Sequence, residues 1–359
     1  MTTTSEQGLR VLYVAMKHDY GDPGRGASFE QVNFFGTLAH MEGIHVIPFF
    51  FDEVLRADGR QAMNEMLLRE VRNTRPDICF FTLFTDEIRQ EVIREITDHS
   101  GAQTVNWFTD DHWRFPSFSR FWAPLFHWVA TTDAAAVRKY QDIGCSRVQL
   151  VQWACNHFLY KPKQVRQDID ISFVGQVHSD RRKIIQRLAG GGITVECWGR
   201  GWKNGRLDQE AMIALFSRSK INLNFAASSA SWNWKPVVKV LLKRRADDTL
   251  HLNSPAEVAG SIDALFKPAR PQIKGRNFEI PGSGGFLLTS AAEHLEQYYQ
   301  PGREIGVFED EEDLVRKIEY FLAHDEEREA IRKAGYERTI REHTFEQRFR
   351  QLFRAMGSA

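Results

Sequence analysis

Residues 274–289 set a basic pair, Lys274 and Arg276, and a lone acid, Glu279, directly ahead of Pro281 and three glycines, Gly282, Gly284 and Gly285. An apolar run, Phe286-Leu287-Leu288, follows at once and reads as a buried strand. Fixed cations suit phosphate oxygens, glycines let the backbone approach a ligand, and a carboxylate accepts hydrogen bonds from sugar hydroxyls. Together they fit a pocket for an anionic, hydroxyl-bearing ligand. The plainer alternative is a glycine turn with solvated charges around it.

Three further segments carry suggestive residues. Trp107-Phe108-Thr109-Asp110-Asp111-His112 ends an apolar run with two carboxylates and an imidazole, raw material for a general base, with Asp111 the favoured group. A metal site is the rival reading, but consecutive side chains diverge and no second cluster completes a ligand set, so no metal is expected. The plain reading is that one aspartate caps the following helix. In Gly175-Gln176-Val177-His178-Ser179-Asp180-Arg181, a glycine precedes a helix start, and the helix N-terminus with Arg181 offers an anion site. In Trp198-Gly199-Arg200-Gly201-Trp202, glycines between indoles give a flat base room to lie. For each of these two the alternative is a tight turn beside a core aromatic. The loop Lys17–Gly26 lacks G-x-G-x-x-G spacing, so a dinucleotide fingerprint is not supported.

The elements that must position these residues alternate strand and helix. Strands are expected at 9–15, 44–51, 77–83, 103–108, 127–131 and 147–152. The helices between them run from Ser28 to Met41, over 60–73, from a Thr85 cap to Asp98, and over 133–141. The pattern restarts at Asp168: strands at 170–175, 193–198, 220–225 and 285–288, and helices at 179–188 (Ser179 as cap) and 209–217. Such alternation predicts α/β architecture with parallel sheets covered on both faces. The organisation read from it is a first domain over 1–155, a linker over 156–167, a second domain over 168–335 with an insertion at 231–270, and a C-terminal helix over 336–359. The insertion holds a basic amphipathic segment, 234–245, which is either a surface helix or a contact for a membrane, a protein or a second subunit.

Bulk composition agrees with a two-domain globular chain of 359 residues, 42% apolar and 26% charged. Lys+Arg and Asp+Glu both number 47, so no basic field favours nucleic acid. Four scattered cysteines form no CxxC pair and suit a reducing, cytoplasmic compartment. No leader-like start and no membrane-length apolar run is apparent.

Residues 274–289, Tyr299–Glu304, Val307-Phe308, Ala334–Arg338 and Glu342–Arg348 together resemble the C-terminal domain of the CgeB-like (spore maturation protein) glycosyltransferases, relatives of the GT-B group. The resemblance covers about 170–355 and extends weakly to Asn106–Asp111. It implies two Rossmann-like domains facing each other across a cleft, a final helix returning to the first domain, a nucleotide-sugar donor on the second domain and an acceptor on the first. On this basis Glu279 binds the donor ribose, Lys274 and Arg276 neutralise the leaving diphosphate, Gly282, Gly284 and Gly285 line that site, and the Gly199–Trp202 turn meets the base. It also implies chemistry without a bound metal ion or other cofactor. Related retaining enzymes carry two glutamates with seven residues between them, whereas the position eight before Glu279 is Pro271, so retention and inversion both stay open.

The resulting expectation is a cytoplasmic, metal-independent hexosyltransferase using a UDP- or dTDP-sugar. Such a site must stabilise charge growing on the leaving phosphate. If transfer inverts, Asp110, Asp111 or His112 takes the acceptor proton; if it retains, the leaving phosphate can. A nucleotide-sugar epimerase or hydrolase on the same fold, and a non-catalytic nucleotide-sugar-binding protein, are the competing readings.

Overall fold

The computed structural model describes residues 8–226 and 271–358, with isolated fragments between them. Short apolar runs bounded by polar turns form its strands. β1 (Leu9–Ala15) buries Val11 to Ala15 completely, as a strand covered on both faces must. β2 (Ile44–Phe50), β3 (Ile78–Phe81), β4 (Gln103–Phe108), β5 (Trp128–Thr131) and β6 (Val148–Leu150) join it in an all-parallel sheet of order β2-β1-β3-β4-β5-β6. Helices α1 (Phe51–Thr74), α2 (Gln90–His99), α3 (Asp111–Arg114) and α4 (Ala134–Asp142) make crossovers and loop supports. This sheet belongs to a compact unit holding the described residues up to Gln152, those within Asn233–Pro268 and those from Glu346 onward.

The second unit takes the described residues within Trp153–Trp232 and Ala269–Phe345. Its strands β7 (Ile169–Val174), β8 (Glu196–Trp198), β9 (Ser219–Asn224), β12 (Leu287–Ser290) and β13 (Gly306–Phe308) form another parallel sheet, ordered β13-β12-β9-β7-β8. α5 (Ser179–Gly190), α6 (Gln209–Arg218), α7 (Arg276–Gly282), α8 (Glu311–Ala323) and α9 (Asp325–Glu342) flank it. Both sheets share one plan: the second strand lies outside the first, and the third lies on its other side. Each therefore has a switch point, between β1 and β3 and between β7 and β9, where α/β sheets bind ligands at the carboxyl ends of their strands.

The expected α/β class and parallel sheets are the observed ones. Several element starts differ. The helix expected from residue 60 is preceded by a further helical piece from Phe51, and the two join at a kink at Gly59 (φ 81°). Thr85 does not cap α2; its amide and hydroxyl donate to Glu87, and the helix starts at Gln90. Ser179 is the first helical residue of α5, and His178 holds the cap position. α9 runs unbroken through residues 335–336, and the chain breaks instead at His343-Thr344 before α10 (Phe345–Ala355). Phe349 of α10 is fully buried in the first unit, with ring centroids 5.7 Å from Phe34, 5.6 Å from Phe80 and 5.8 Å from Trp107.

Most of the insertion 231–270 lies outside the described residues, including Trp234–Leu241 of the basic segment. Leu242–Arg244 is a strand (β10), not a helix, and pairs antiparallel with Leu250–Leu252 (β11). No described helix is long and apolar enough to cross a membrane.

Candidate functional site

The carboxyl ends of β7 and β9 gather three of the singled-out segments. β7 ends at Val174, and Gly175 opens the loop to α5. Arg181, in the first turn of α5, turns back over this loop: its guanidinium donates to the carbonyl of Gln176 at 3.0 Å and to that of Phe225, just past β9, at 3.1 Å. Arg181 thus spans the switch point. Its Nε is buried with no hydrogen-bond partner among the described residues. Burial holds its pKa below the ordinary arginine value, so an anion placed here restores a stabilising counter-charge. The His178 side chain makes no cap hydrogen bond, so the N-terminal amides of the twelve-residue α5 face the same place without one.

Arg276 arrives from the other side. Residues 276–282 form helix α7 rather than a turn, although Pro281 sits inside it. A proline there forfeits one helical hydrogen bond, and Gly284 (φ 68°) reverses the chain just beyond. On this helix Arg276 and Glu279 lie three residues apart on one face. The Arg276 guanidinium pairs with Glu279 Oε2, approaches the Val174 carbonyl at 3.5 Å through Nε and lies 5.7 Å from the Phe216 ring centroid. Burial lowers its pKa also.

Glu279 is fully enclosed, and Tyr160 donates to its Oε1 at 2.9 Å. Tyr160 lies in the stretch expected to be a plain linker, yet it is 1% exposed. No sequence signal marks it, because its use depends on a partner 119 residues away. Lys274 is half-buried at the approach to α7.

The glycines have packing reasons. A Cβ on Gly282 would strike the Cys155 sulfur, one on Gly284 would meet Pro162, and one on Gly285 would meet Asn222 and the Phe216 carbonyl. At all three the Cβ direction is filled by protein, so only glycine fits the end of α7 and its seat on β9. Gly199 (φ 126°) presses its backbone onto Gly175, and a Cβ on Gly201 would strike Val177. The Trp202 indole donates to the Gly175 carbonyl at 2.9 Å and meets Phe173 edge-on. The Gly199–Trp202 turn therefore buttresses the Gly175 loop.

In the first unit, Asp111 is not at the surface. Its carboxylate is fully buried, and its Oδ2 accepts from Thr131 at 2.6 Å and Tyr140 at 2.8 Å. Burial is the main cause that pushes its pKa up to about 6. A general base must reach the hydroxyl it deprotonates. Enclosed this way, Asp111 instead ties α3 to β5 and α4, which corrects its expected part in proton transfer. Asp110 and His112 are half-buried beside it. Asp110 and Asp19 add to the effect of burial in raising Glu30 to about 7. Sequence reading missed Glu30, a lone acid early in an ordinary helix. Among the described residues no group of three His, Cys, Asp or Glu is arranged to hold a metal ion.

Residues 240–354 match the family described as glycosyl transferase-like. No curated protein sequence matches the chain. Among solved structures, sucrose-phosphate synthase from Thermosynechococcus elongatus is similar over 98% of this chain and 99% of its own, at TM-score 0.59 and 12% identity. Anabaena HepE, in complex with UDP and glucose, is similar over 98% and 100%, at 0.57 and 11%. The lipopolysaccharide outer core galactosyltransferase WaaB is similar over 98% and 99%, at 0.52 and 10%. The chain therefore has the fold of these glycosyltransferase structures, with a glycosyl transferase-like match in its C-terminal third.

Proposed function

We propose that the second unit binds a UDP- or dTDP-sugar with its diphosphate at the β7–β9 switch point, and that the sugar passes to an acceptor hydroxyl without a metal ion. The observation that carries this is the convergence of two desolvated guanidinium groups and an N-terminal helix end on the carboxyl end of β7. In the free protein Arg276 is held by Glu279. A diphosphate competes for that guanidinium, and its transfer to phosphate oxygens releases Glu279 Oε2 for a ribose hydroxyl. Arg181 and the α5 amides then stabilise charge growing on the leaving phosphate. Lys274 adds a third cation. Within the glycosyl transferase-like proteins we place the chain with the CgeB-like group, on the strength of residues 274–289, and in the cytoplasm, with the insertion 231–270 as a candidate peripheral membrane contact.

The test is a thermal-shift panel of UDP, dTDP, GDP and ADP on wild type, Arg181→Ala, Arg276→Ala and Glu279→Gln. A ligand that binds the native state stabilises it by about 2.7 kcal/mol at a hundredfold excess over Kd. UDP or dTDP should raise the wild-type Tm, with most of the shift lost in all three variants. A flat wild-type response to every nucleotide would sink the proposal. Donor turnover without any acceptor would instead mark a hydrolase.

A further inference from the structure

The first sheet also opens at its amino ends. We propose that the cavity there, beside the starts of β5 and β6, binds a small carboxylate with an apolar body, held by His127, Ser146 and Arg147. The proposal does not depend on the glycosyl-transfer reading.

The cavity holds about 260 Å³, and Phe126, Val129 and Ile143 line it together with those three polar residues. That is just below the range of about 300–1,000 Å³ that takes drug-sized ligands, so the occupant is a molecule of one ring or a short branched chain. A turn after α4 forms one side. Gly144, at φ 90°, lets the chain reverse, and the Gly144 and Cys145 amides donate back to the Gln141 and Tyr140 carbonyls at 3.0 Å. Ser146 and Arg147 come next, directly ahead of β6.

The other side is a fixed imidazole. The Thr104 amide donates to His127 Nδ1 at 3.1 Å, and the His127 amide donates to Thr104 Oγ1 at 3.0 Å. Thr97 of α2 meets the same Thr104 hydroxyl at 2.9 Å and donates to the Leu125 carbonyl at 2.8 Å. A backbone amide can only donate, so Nδ1 carries a lone pair and the ring proton sits on Nε2. Burial, and then the charge of Arg147, keep the His127 pKa below the ordinary histidine value, so the ring stays neutral at neutral pH. Its Nε2–H is a standing donor that no described residue accepts from.

Charge and shape select the occupant. Arg147 forms no ion pair among the described residues, and its guanidinium lies 5.9 Å from the Trp128 ring centroid. Asp142, the nearest acid in sequence, is held by Arg138 at 2.9 Å, and Asp98 of α2 is the carboxylate that acts on the imidazole. One cation and two neutral donors balance a single negative charge rather than two, which favours a carboxylate over a phosphate. The apolar walls suit a carbon body.

Cys145 supplies the readout, because it also lines the cavity and alone of the four cysteines is not buried. The experiment follows its alkylation by iodoacetamide in the full chain, by mass spectrometry, during titration with benzoate, isovalerate, the amides of both, or inorganic phosphate. The concentration giving half-protection is read, so a change in the thiol's own reactivity does not matter. At least one acid should protect, with a Kd on the order of 1 mM, and its amide should need roughly tenfold more. Arg147→Gln should weaken the acid about tenfold and Ser146→Ala about threefold. Both residues are exposed, and an unchanged Tm checks that the variants fold. Equal protection by acid and amide, no protection by either acid, or a half-protection point unmoved in Arg147→Gln would overturn the proposal. So would phosphate acting at lower concentration than both acids.

Discussion

Replacing Asp111 by asparagine isolates the electrostatics of a buried carboxylate. The group has a pKa near 3.8 when unfolded and about 6 in the folded chain, chiefly through burial. The folded state therefore holds its proton more tightly. Its contribution to stability is fully present below pH 3.8 and is lost as pH rises through 6. The rise is worth roughly 3 kcal/mol, at about 1.4 kcal/mol per unit. The Asp111→Asn side chain has no charge to bury, but it places an amide where Asp111 Oδ1 now has no partner. That costs about 1–3 kcal/mol at every pH. Thermal unfolding followed by circular dichroism, scanned from below pH 3.8 to neutral pH, separates the two. The variant should melt below wild type at the acidic end and gain on it as pH rises. At roughly 2–4 °C per kcal/mol for a unit of this size, the relative gain is about 6–12 °C. A difference between the two proteins that stays flat across this range would refute the assignment of Asp111 as a buried, ionising core group.

Two shorter predictions test the packing. Gly199→Ala forces a Cβ against the Gly175 carbonyl at φ 126°, and should cost about 2 kcal/mol or more and abolish the UDP thermal shift with it. A variant that binds UDP normally would show that the Gly175 loop does not depend on this contact. Phe349→Ala removes a fully buried ring from the first unit and should cost about 3–5 kcal/mol, read as a lower urea midpoint with loss of amide protection in α10.

The strands were legible because each buried run is short, apolar and punctuated: Leu9–Ala15 and Gln103–Phe108 fall where their patterns put them. Helix α7 was hidden because Pro281 and three glycines carry every local signal of a turn, whereas in the fold these glycines close against Cys155, Pro162 and Asn222. In the candidate donor site, Arg181 and Arg276 could be named from charge and position. Tyr160 could not, since its value comes from a carboxylate far along the chain. Asp111 misled because adjacent acids at a strand end look alike in sequence, while one residue of helical rotation sends the first outward and the second into the core. Glu30 stayed silent for the converse reason: its perturbation comes from burial and from distant Asp110 and Asp19.

The seating of α10 also fixes an order of events during synthesis. Phe349 fills a site bounded by Phe34, Phe80 and Trp107, all made early. At roughly 5–20 residues per second, tens of seconds separate Trp107 from Phe349 on the ribosome. Throughout that interval the first sheet stands with an aromatic socket open, while the second unit is translated and folds. The N-terminal unit is thus the first to begin and the last to finish.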